Sequence, residues 1–376
     1  MNRIIVFFAC IILTAFPCIG KSREFAPKLK ATLVGHRSQV DHVVFSSGGE
    51  LVATADGDTT RVWNATGQLL FALDGTAPRF SPDGRLLLTI DNTKAKLWDA
   101  TTGKLRLSLT GHAGKILSTA FSPDGTKLAT GCEAGTVKIW DAGTGVASTT
   151  LWPVKKLPRY RIVSRVKRWA NTVHVEFSVD LRFVLTRTLE VSRLWETATG
   201  KLIEEFKYPV VVATFSPDSN WLGINGPSDH AALLNLETRT TATPSSGETH
   251  FLNQIVFSPD GQTYVTGSGY KDYHATLIDV STRRVTRTIP LAANWSFDMI
   301  SVYLKDADVL SFHPSSKFLM GANQQSVKLW NTSTGQLVWE TTEARTPAAF
   351  GLDGKLLATV GKDKKTVLLW EAESLR

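Results

Sequence analysis

The sequence predicts an all-β ring assembled from eight copies of one four-stranded unit. Three observations predict it: a turn motif opened by Phe recurs eight times, a strand-ending position that is usually Trp recurs in register with it, and the copies keep one spacing. Apolar residues make up 43% of the 376-residue chain, enough for a buried core along its whole length. The formal net charge of +8 is a moderate basic excess, and it bears on partners only where the charges cluster.

The clearest copy runs Ala120-Phe121-Ser122-Pro123-Asp124-Gly125, then Lys127-Leu128-Ala129-Thr130, then Thr136-Val137-Lys138-Ile139-Trp140-Asp141. Its turn has a physical reading: Pro fixes φ, Asp bonds its own backbone, and Gly accepts positive φ. Equivalent turns open at Phe45 (with Ser46-Ser47-Gly48), Phe80, Phe177, Phe215, Phe257, Phe312 (with His313-Pro314-Ser315) and Phe350. The strand-ending position is Trp63, Trp98, Trp140, Trp195, Leu234, Ile278, Trp330 and Trp370, so two copies lose the Trp and keep the frame. A polar turn such as Thr101-Thr102-Gly103 and a further β-like run follow each copy except the last. The roughly 356 residues beyond Gly20, shared among eight copies, give about 44 each, a period typical of propeller blades.

These motifs resemble those of the WD-repeat β-propeller family, over roughly residue 28 to the end of the chain. The resemblance implies radial four-stranded blades and a role as an interaction platform. The expected fold is therefore all-β: a single eight-bladed β-propeller over residues 28–376, its ring closed by the N-terminal strand, preceded by a signal peptide (1–20) and a short linker (21–27). Closure follows from strand counting. The last copy stops after its third strand at Trp370-Glu371, and Leu29-Lys30-Ala31-Thr32-Leu33 looks like a fourth strand without its first three. A closed ring leaves no free sheet edge.

The family often has a His, Ser/Thr, Asp and Trp hydrogen-bond network within a blade. Here Gly-His occurs only at Gly35-His36 and Gly111-His112, and Ala134 replaces the Asp before the third strand of the third copy. The expectation is that no blade holds the full network, that rigidity comes mostly from apolar packing between blades, and that His36 and His112 are structural.

The N-terminal segment reads as a secretory signal: Arg3, an uncharged run over 4–16, Pro17, and Cys18-Ile19-Gly20 before a cleavage point. The alternative is a membrane anchor over residues 4–20, at the short end of the ~17–25-residue spanning range. Phe16-Pro17 suits a lipoprotein cysteine at Cys18 poorly. Localisation is thus expected to be exported, either secreted or periplasmic. Cleavage would remove Cys10 and Cys18, leaving Cys132 alone as a small buried residue with no intrachain disulfide.

Phosphate loops, paired Cys-x-x-Cys, His-Glu-x-x-His and Gly-x-Ser-x-Gly elbows are absent from the sequence, which points away from an enzyme, from a metal site and from a cofactor. Sites assembled from distant blades would leave no such spacing. The sequons at Asn64, Asn294 and Asn331 read as repeat chemistry, since Asn64 and Asn331 stand where other copies have Asp.

Insertions mark the functional face of a repeat protein. Two are long, at residues 152–171 and 291–308. The first carries Lys155, Lys156, Arg159, Arg161, Arg165, Lys167 and Arg168 with no acidic residue, and Ile162, Val166 and Trp169 at helical spacing. The second carries Trp295, Phe297, Met299 and Tyr303, and the nearby loop of the sixth copy carries Tyr270, Tyr273 and His274. In propellers of this family such links share a face with the loops between second and third strands. The aromatics suit packing as well as binding, and clustered charge signals a partner. The reading is an exported scaffold for protein–protein or protein–polyanion interaction through that face. Its partner is a protein, an anionic surface or a polyanion rather than nucleic acid, and membrane contact is confined to an uncleaved N-terminus or to peripheral docking. The alternative is an exported hydrolase or lyase with a small-ligand site in the central channel.

Overall fold

The structure is a computed structural model that describes residues 26–151, 174–188, 191–206, 213–225, 231–243, 252–268, 274–291, 309–372 and 375. These residues form eight four-stranded antiparallel sheets, each one blade of a propeller. Among them there is no α-helix, and no helix long and apolar enough to cross a membrane. The signal-peptide reading of residues 1–20 and most of the linker lie outside the described residues.

The recurring turn explains why each blade begins as it does. Ser81 is buried; its hydroxyl accepts the Leu86 N–H (2.9 Å) and donates to the Asp83 carboxylate (2.5 Å). The same pair of bonds recurs at Ser122, Ser178, Ser216 and Ser258. One residue after the Asp, or after Ser315 in blade 7, the chain turns left-handed, at Gly84, Gly125, Gly261 and Gly354 and, less comfortably, at Leu181, Ser219 and Ser316. In the first copy this residue is Gly49, one position beyond the Gly48 at which the sequence reading ended the turn.

Strand alternation then sorts the side chains between neighbours. In blade 1 (Val40–Phe45, Leu51–Asp56, Thr59–Asn64, Leu69–Asp74), Val52 and Trp63 pack towards blade 8, while Ala53 and Val62 pack towards blade 2. Every blade behaves in this way, and the buried apolar residues fall into eight clusters, each shared by two adjacent blades. The cluster between blades 8 and 1 is built like the others, with Val40, Phe45 and Trp63 against Leu33, Leu356, Val360 and Leu369. Backbone bonds repeat as well. The Ile116 N–H reaches Asn92 O (2.8 Å), the Thr346 N–H reaches Asn323 O (3.0 Å), and the Val40 N–H reaches Lys364 O (2.8 Å). Blade 8 contains Ala344–Phe350, Leu356–Gly361 and Val367–Glu371, and the strand Lys28–Leu33 pairs antiparallel with the last of these, Leu33 opposite Val367.

Where the Trp is lost, apolar side chains of the two facing strands still fill the position. Val52 lies opposite Trp63 in blade 1. In blade 6 the corresponding pair is Tyr264 and Ile278, so the aromatic ring has moved to the partner strand. In blade 5 it is Leu222 and Leu234. Such exchanges keep a core filled at low cost. The Tyr264 ring is fully buried and its hydroxyl has no hydrogen-bond partner, so burial pushes its pKa up.

Candidate interaction face and central channel

Inside blade 1 the polar residues form one buried chain. The Trp63 Nε1–H donates to Thr54 Oγ1 (2.8 Å), His36 Nε2 lies 2.7 Å from the same hydroxyl, and His36 Nδ1 lies 3.2 Å from Asp56 Oδ2. The expectation that no blade holds the full network is therefore wrong. Its carboxylate is Asp56, the last residue of the second strand, and not a residue just before the third strand. Burial, and then the Arg61 guanidinium, hold His36 below its usual value, which keeps it neutral. Burial alone would raise the Asp56 pKa, but the Arg37 and Ser38 backbone N–H groups outweigh it and the net shift is downward.

Blade 3 keeps the His112–Thr130 contact (2.6 Å) and the Trp140–Thr130 bond (2.8 Å) and places Cys132 where blade 1 has Asp56. Cys132 is free and fully buried. Burial by itself would raise the thiol, but bonds from His112 and Thr136 bring it down to about 6. Trp98, Trp195 and Trp370 make the same bond to Thr89, Thr186 and Thr359. Both Gly-His histidines thus sit inside blades, holding strands together. Asn64 and Asn331 spend their side-chain oxygens on the N–H groups of the following turn.

The two long insertions attach on one face, the face of the hairpins between second and third strands. Residues 152–171 follow Leu151, which pairs with Val137 beside its hairpin, and lead to His174, which pairs with Arg187 beside the next. Residues 291–308 follow Pro290, paired with His274, and lead to Val309, paired with Ala322. Of the residues singled out for binding, His274 is described: it opens the third strand of blade 6 on this face and is partly buried. Lys155, Lys156, Arg159, Arg161, Arg165, Lys167, Arg168, Tyr270, Tyr273, Trp295, Phe297 and Tyr303 lie outside the described residues.

The same face carries a notch that sequence reasoning missed. Blade 1 is joined to blade 2 by Gly75 alone, whereas a Gly-His loop enters blades 1 and 3. With no such loop to fill it, the face opens into a cleft of about 690 Å³. Asp58, Asp74, Asp91, Asn92 and Lys115 line it, with Lys96 at its base. Lys96 Nζ bonds Asp91 (2.9 Å) and approaches Asp74 (3.6 Å), and the Asp91 bond raises its pKa. Gly75 is obligatory, because it adopts φ +98° and a Cβ there would lie 2.7 Å from the Ile90 carbonyl oxygen. The signal was legible as a short spacer, but a missing loop is easier to overlook than an added one.

The innermost strands line the channel and present an unpaired edge to it. Side chains from neighbouring blades satisfy part of that edge. Ser118 Oγ accepts the Val175 N–H (3.0 Å), Glu176 Oε1 the Phe215 N–H (3.4 Å), and Gln254 Oε1 the Leu310 N–H (2.7 Å). Around Glu176 gather His174, Arg187 and, from blade 2, Arg79. Burial first, then Arg187 and Arg79, depress His174 to about 3. Burial pushes Glu176 up against the opposing pull of Arg187 and the Phe215 N–H. No group of three or more His, Cys, Asp or Glu side chains among the described residues is arranged to hold a metal ion.

Eight four-stranded blades around a channel define an eight-bladed β-propeller. A model of the WD domain, G-beta repeat, matches residues 27–64 and 103–141. Two stretches of this propeller are thus WD repeats. It is 27% identical over 258 residues to protein tipD of Dictyostelium discoideum, covering 64% of this chain and 40% of that protein. It is 28% identical over 257 residues to apoptotic protease-activating factor 1 of Rattus norvegicus, covering 62% of this chain and 19% of that protein. The matches therefore span less than half the length of either relative. Among solved structures, the computationally designed Ika8 protein superposes with a TM-score of 0.68 over 92% of this chain and 99% of its own, at 21% identity, a likeness that speaks for the fold alone.

Proposed function

We propose that this propeller is a non-catalytic scaffold that docks a protein partner on the face bearing the second-to-third-strand hairpins. The notch above blade 2 carries this reading: it is an open, charged cleft on the face where both long insertions attach. Open, charged relief of this kind suits a protein surface better than a small substrate, which favours an enclosed, mostly apolar pocket. Substituting Asp58 and Lys115 by Ala should leave the melting curve unchanged, since both are exposed. Crosslinking and mass spectrometry in the native host should then lose the partner that the parent retains. Identical crosslinks for parent and variant would remove the notch from the interface.

The basic insertion extends that face toward anionic surfaces, with seven positive charges in fourteen residues and none negative. If about four of these neutralise phosphates, log affinity falls with log salt at a slope of roughly −3. Replacing Lys155, Lys156, Arg165, Lys167 and Arg168 by Ser should lower the salt needed to elute the protein from heparin-like resin and anionic liposomes. Export is proposed on the apolar run over residues 4–16 and the small residues after it. A mature N-terminus at Lys21 is the expected result of N-terminal sequencing. Pairing of Lys28–Leu33 with the last blade supports the proposal that this strand clasps the ring.

A further inference from the structure

We propose that the central channel binds a small oxyanion, a carboxylate or phosphate group, on Arg79. This site is separate from the docking face, and the inference does not depend on it.

Arg79 and Glu176 hold the same register position in their blades, directly before the Phe that opens the turn. Val44, Ala120, Thr214 and Ser311 hold that position in other blades, and none of them carries a charge. Arg79 is exposed, yet it lies on an innermost strand and the surrounding protein strips part of its water. An exposed side chain on an innermost strand of blade 2, within electrostatic reach of Glu176 in blade 4, faces the channel. It makes no hydrogen bond or ion pair with any described residue. Glu176, which acts on it across blade 3, is committed elsewhere, accepting from the Phe215 N–H (3.4 Å) and from the Thr214 hydroxyl. Glu176 is also shared with Arg187, so two guanidiniums draw on one carboxylate. His174, held neutral, adds no charge at pH 7.

An unused guanidinium fork in a confined channel has a definite chemical preference. Its parallel N–H groups match carboxylate and phosphate oxygens in bidentate fashion, which a spherical halide cannot reproduce. Channel walls of low dielectric focus the field of the charge and raise the local concentration of anions. Glu176 opposes the ligand, so its charge limits affinity.

The test uses the whole protein, with inorganic phosphate and acetate as probes and chloride at matched ionic strength as reference, read by calorimetry and by thermal shift. At least one oxyanion is expected to bind and to raise the melting temperature above the chloride reference, and the phosphate and acetate arms tell the two chemistries apart. Arg79→Met should weaken binding by about tenfold or more, as expected for loss of a charge-assisted hydrogen bond. Glu176→Gln should tighten it about threefold or more, by removing the opposing charge. Arg79→Lys keeps the charge without the fork and should bind more weakly than the parent. The proposal is overturned if neither oxyanion exceeds chloride, or if Arg79→Lys and Arg79→Met bind as the parent does. It is also overturned if the five-serine variant of the basic insertion abolishes the binding, since the anion would then sit on the insertion.

Discussion

In blade 1 the Trp63 indole, the Thr54 hydroxyl, the His36 ring and the Asp56 carboxylate form one buried polar chain. In blade 5 the positions of Trp63 and Thr54 are Leu234 and Ile224, and both are buried in the apolar cluster shared with blade 4. The outer strand of blade 1 has six residues, Leu69–Asp74, and that of blade 5 has two, Thr241–Ala242. Yet both blades keep the turn, the strand register and a full set of contacts with their neighbours. The ring thus requires apolar packing between blades at every interface. The polar chain is an addition that fixes the relation of one blade's loop to its strands, and it can be dropped when aliphatic residues fill the space.

The strongest test of that division removes packing and the proposed clasp together. Deleting residues 28–34 takes Leu33 out of the cluster between blades 8 and 1 and bares the edge of Val367–Glu371. Aggregation or loss of cooperative unfolding is expected, because an unpaired edge recruits other chains. A soluble variant with the parent's melting curve would show that the ring does not need this strand.

A smaller effect should separate the two blades directly. Thr54→Val leaves the buried Trp63 indole N–H and His36 Nε2 without their common partner, at a cost of about 2–4 kcal/mol. Ile224→Val in blade 5 removes one methyl group and should cost about 1 kcal/mol. Chemical denaturation measures both. Equal losses would mean that the blade 1 chain contributes no more than its volume.

Most of this frame was readable from the sequence, because the turn and the Trp position repeat in every copy and each has a local physical cause. The full chain in blade 1 was missed because its carboxylate ends the second strand at Asp56, where the short hairpin Asp56-Gly57-Asp58 shifts it from the expected place. The exchange of Val52 and Trp63 for Tyr264 and Ile278 shows only once the strands are paired. The channel group was hidden for a deeper reason. Arg79 and Glu176 lie almost a hundred residues apart, and only ring geometry brings them within electrostatic reach.

Titration gives a third contrast. His36 is held neutral in the folded state, so the unfolded chain binds its proton more readily below about pH 6.5. The stability His36 supplies is complete above that value and fades as the pH falls towards its lowered folded pKa. Asp56, also lowered, acts in the same direction but only below about pH 4. His36→Gln should therefore be less stable than the parent at pH 7, and the gap should narrow as the pH falls from 7 to 5. His174 titrates in both proteins and cancels in the difference. A gap that stays constant between pH 7 and 5 would mean that His36 is not held neutral.

The smallest expected effect lies in the turn before the outer strand. In blade 1 the left-handed residue is Gly67, with φ +90°, and a Cβ there would lie 2.7 Å from the Ala31 Cβ, so no other residue fits. In blade 5 the same place is held by Arg239, with φ +60°. Left-handed backbone costs a non-glycine residue roughly 1–2 kcal/mol. Arg239 offsets part of this by laying its guanidinium over the buried Phe183 ring, 5.0 Å from the centroid, a contact worth about 0.5–2 kcal/mol at a partly buried site. Arg239→Gly relieves the strain and loses the stacking, while the added freedom of glycine in the unfolded chain costs a further ~0.4–1 kcal/mol. The three terms nearly cancel, so the variant should lie within about 1 kcal/mol of the parent by denaturant titration. A loss well above that would show that the contact with Phe183 stands in for the polar chain that blade 5 lacks.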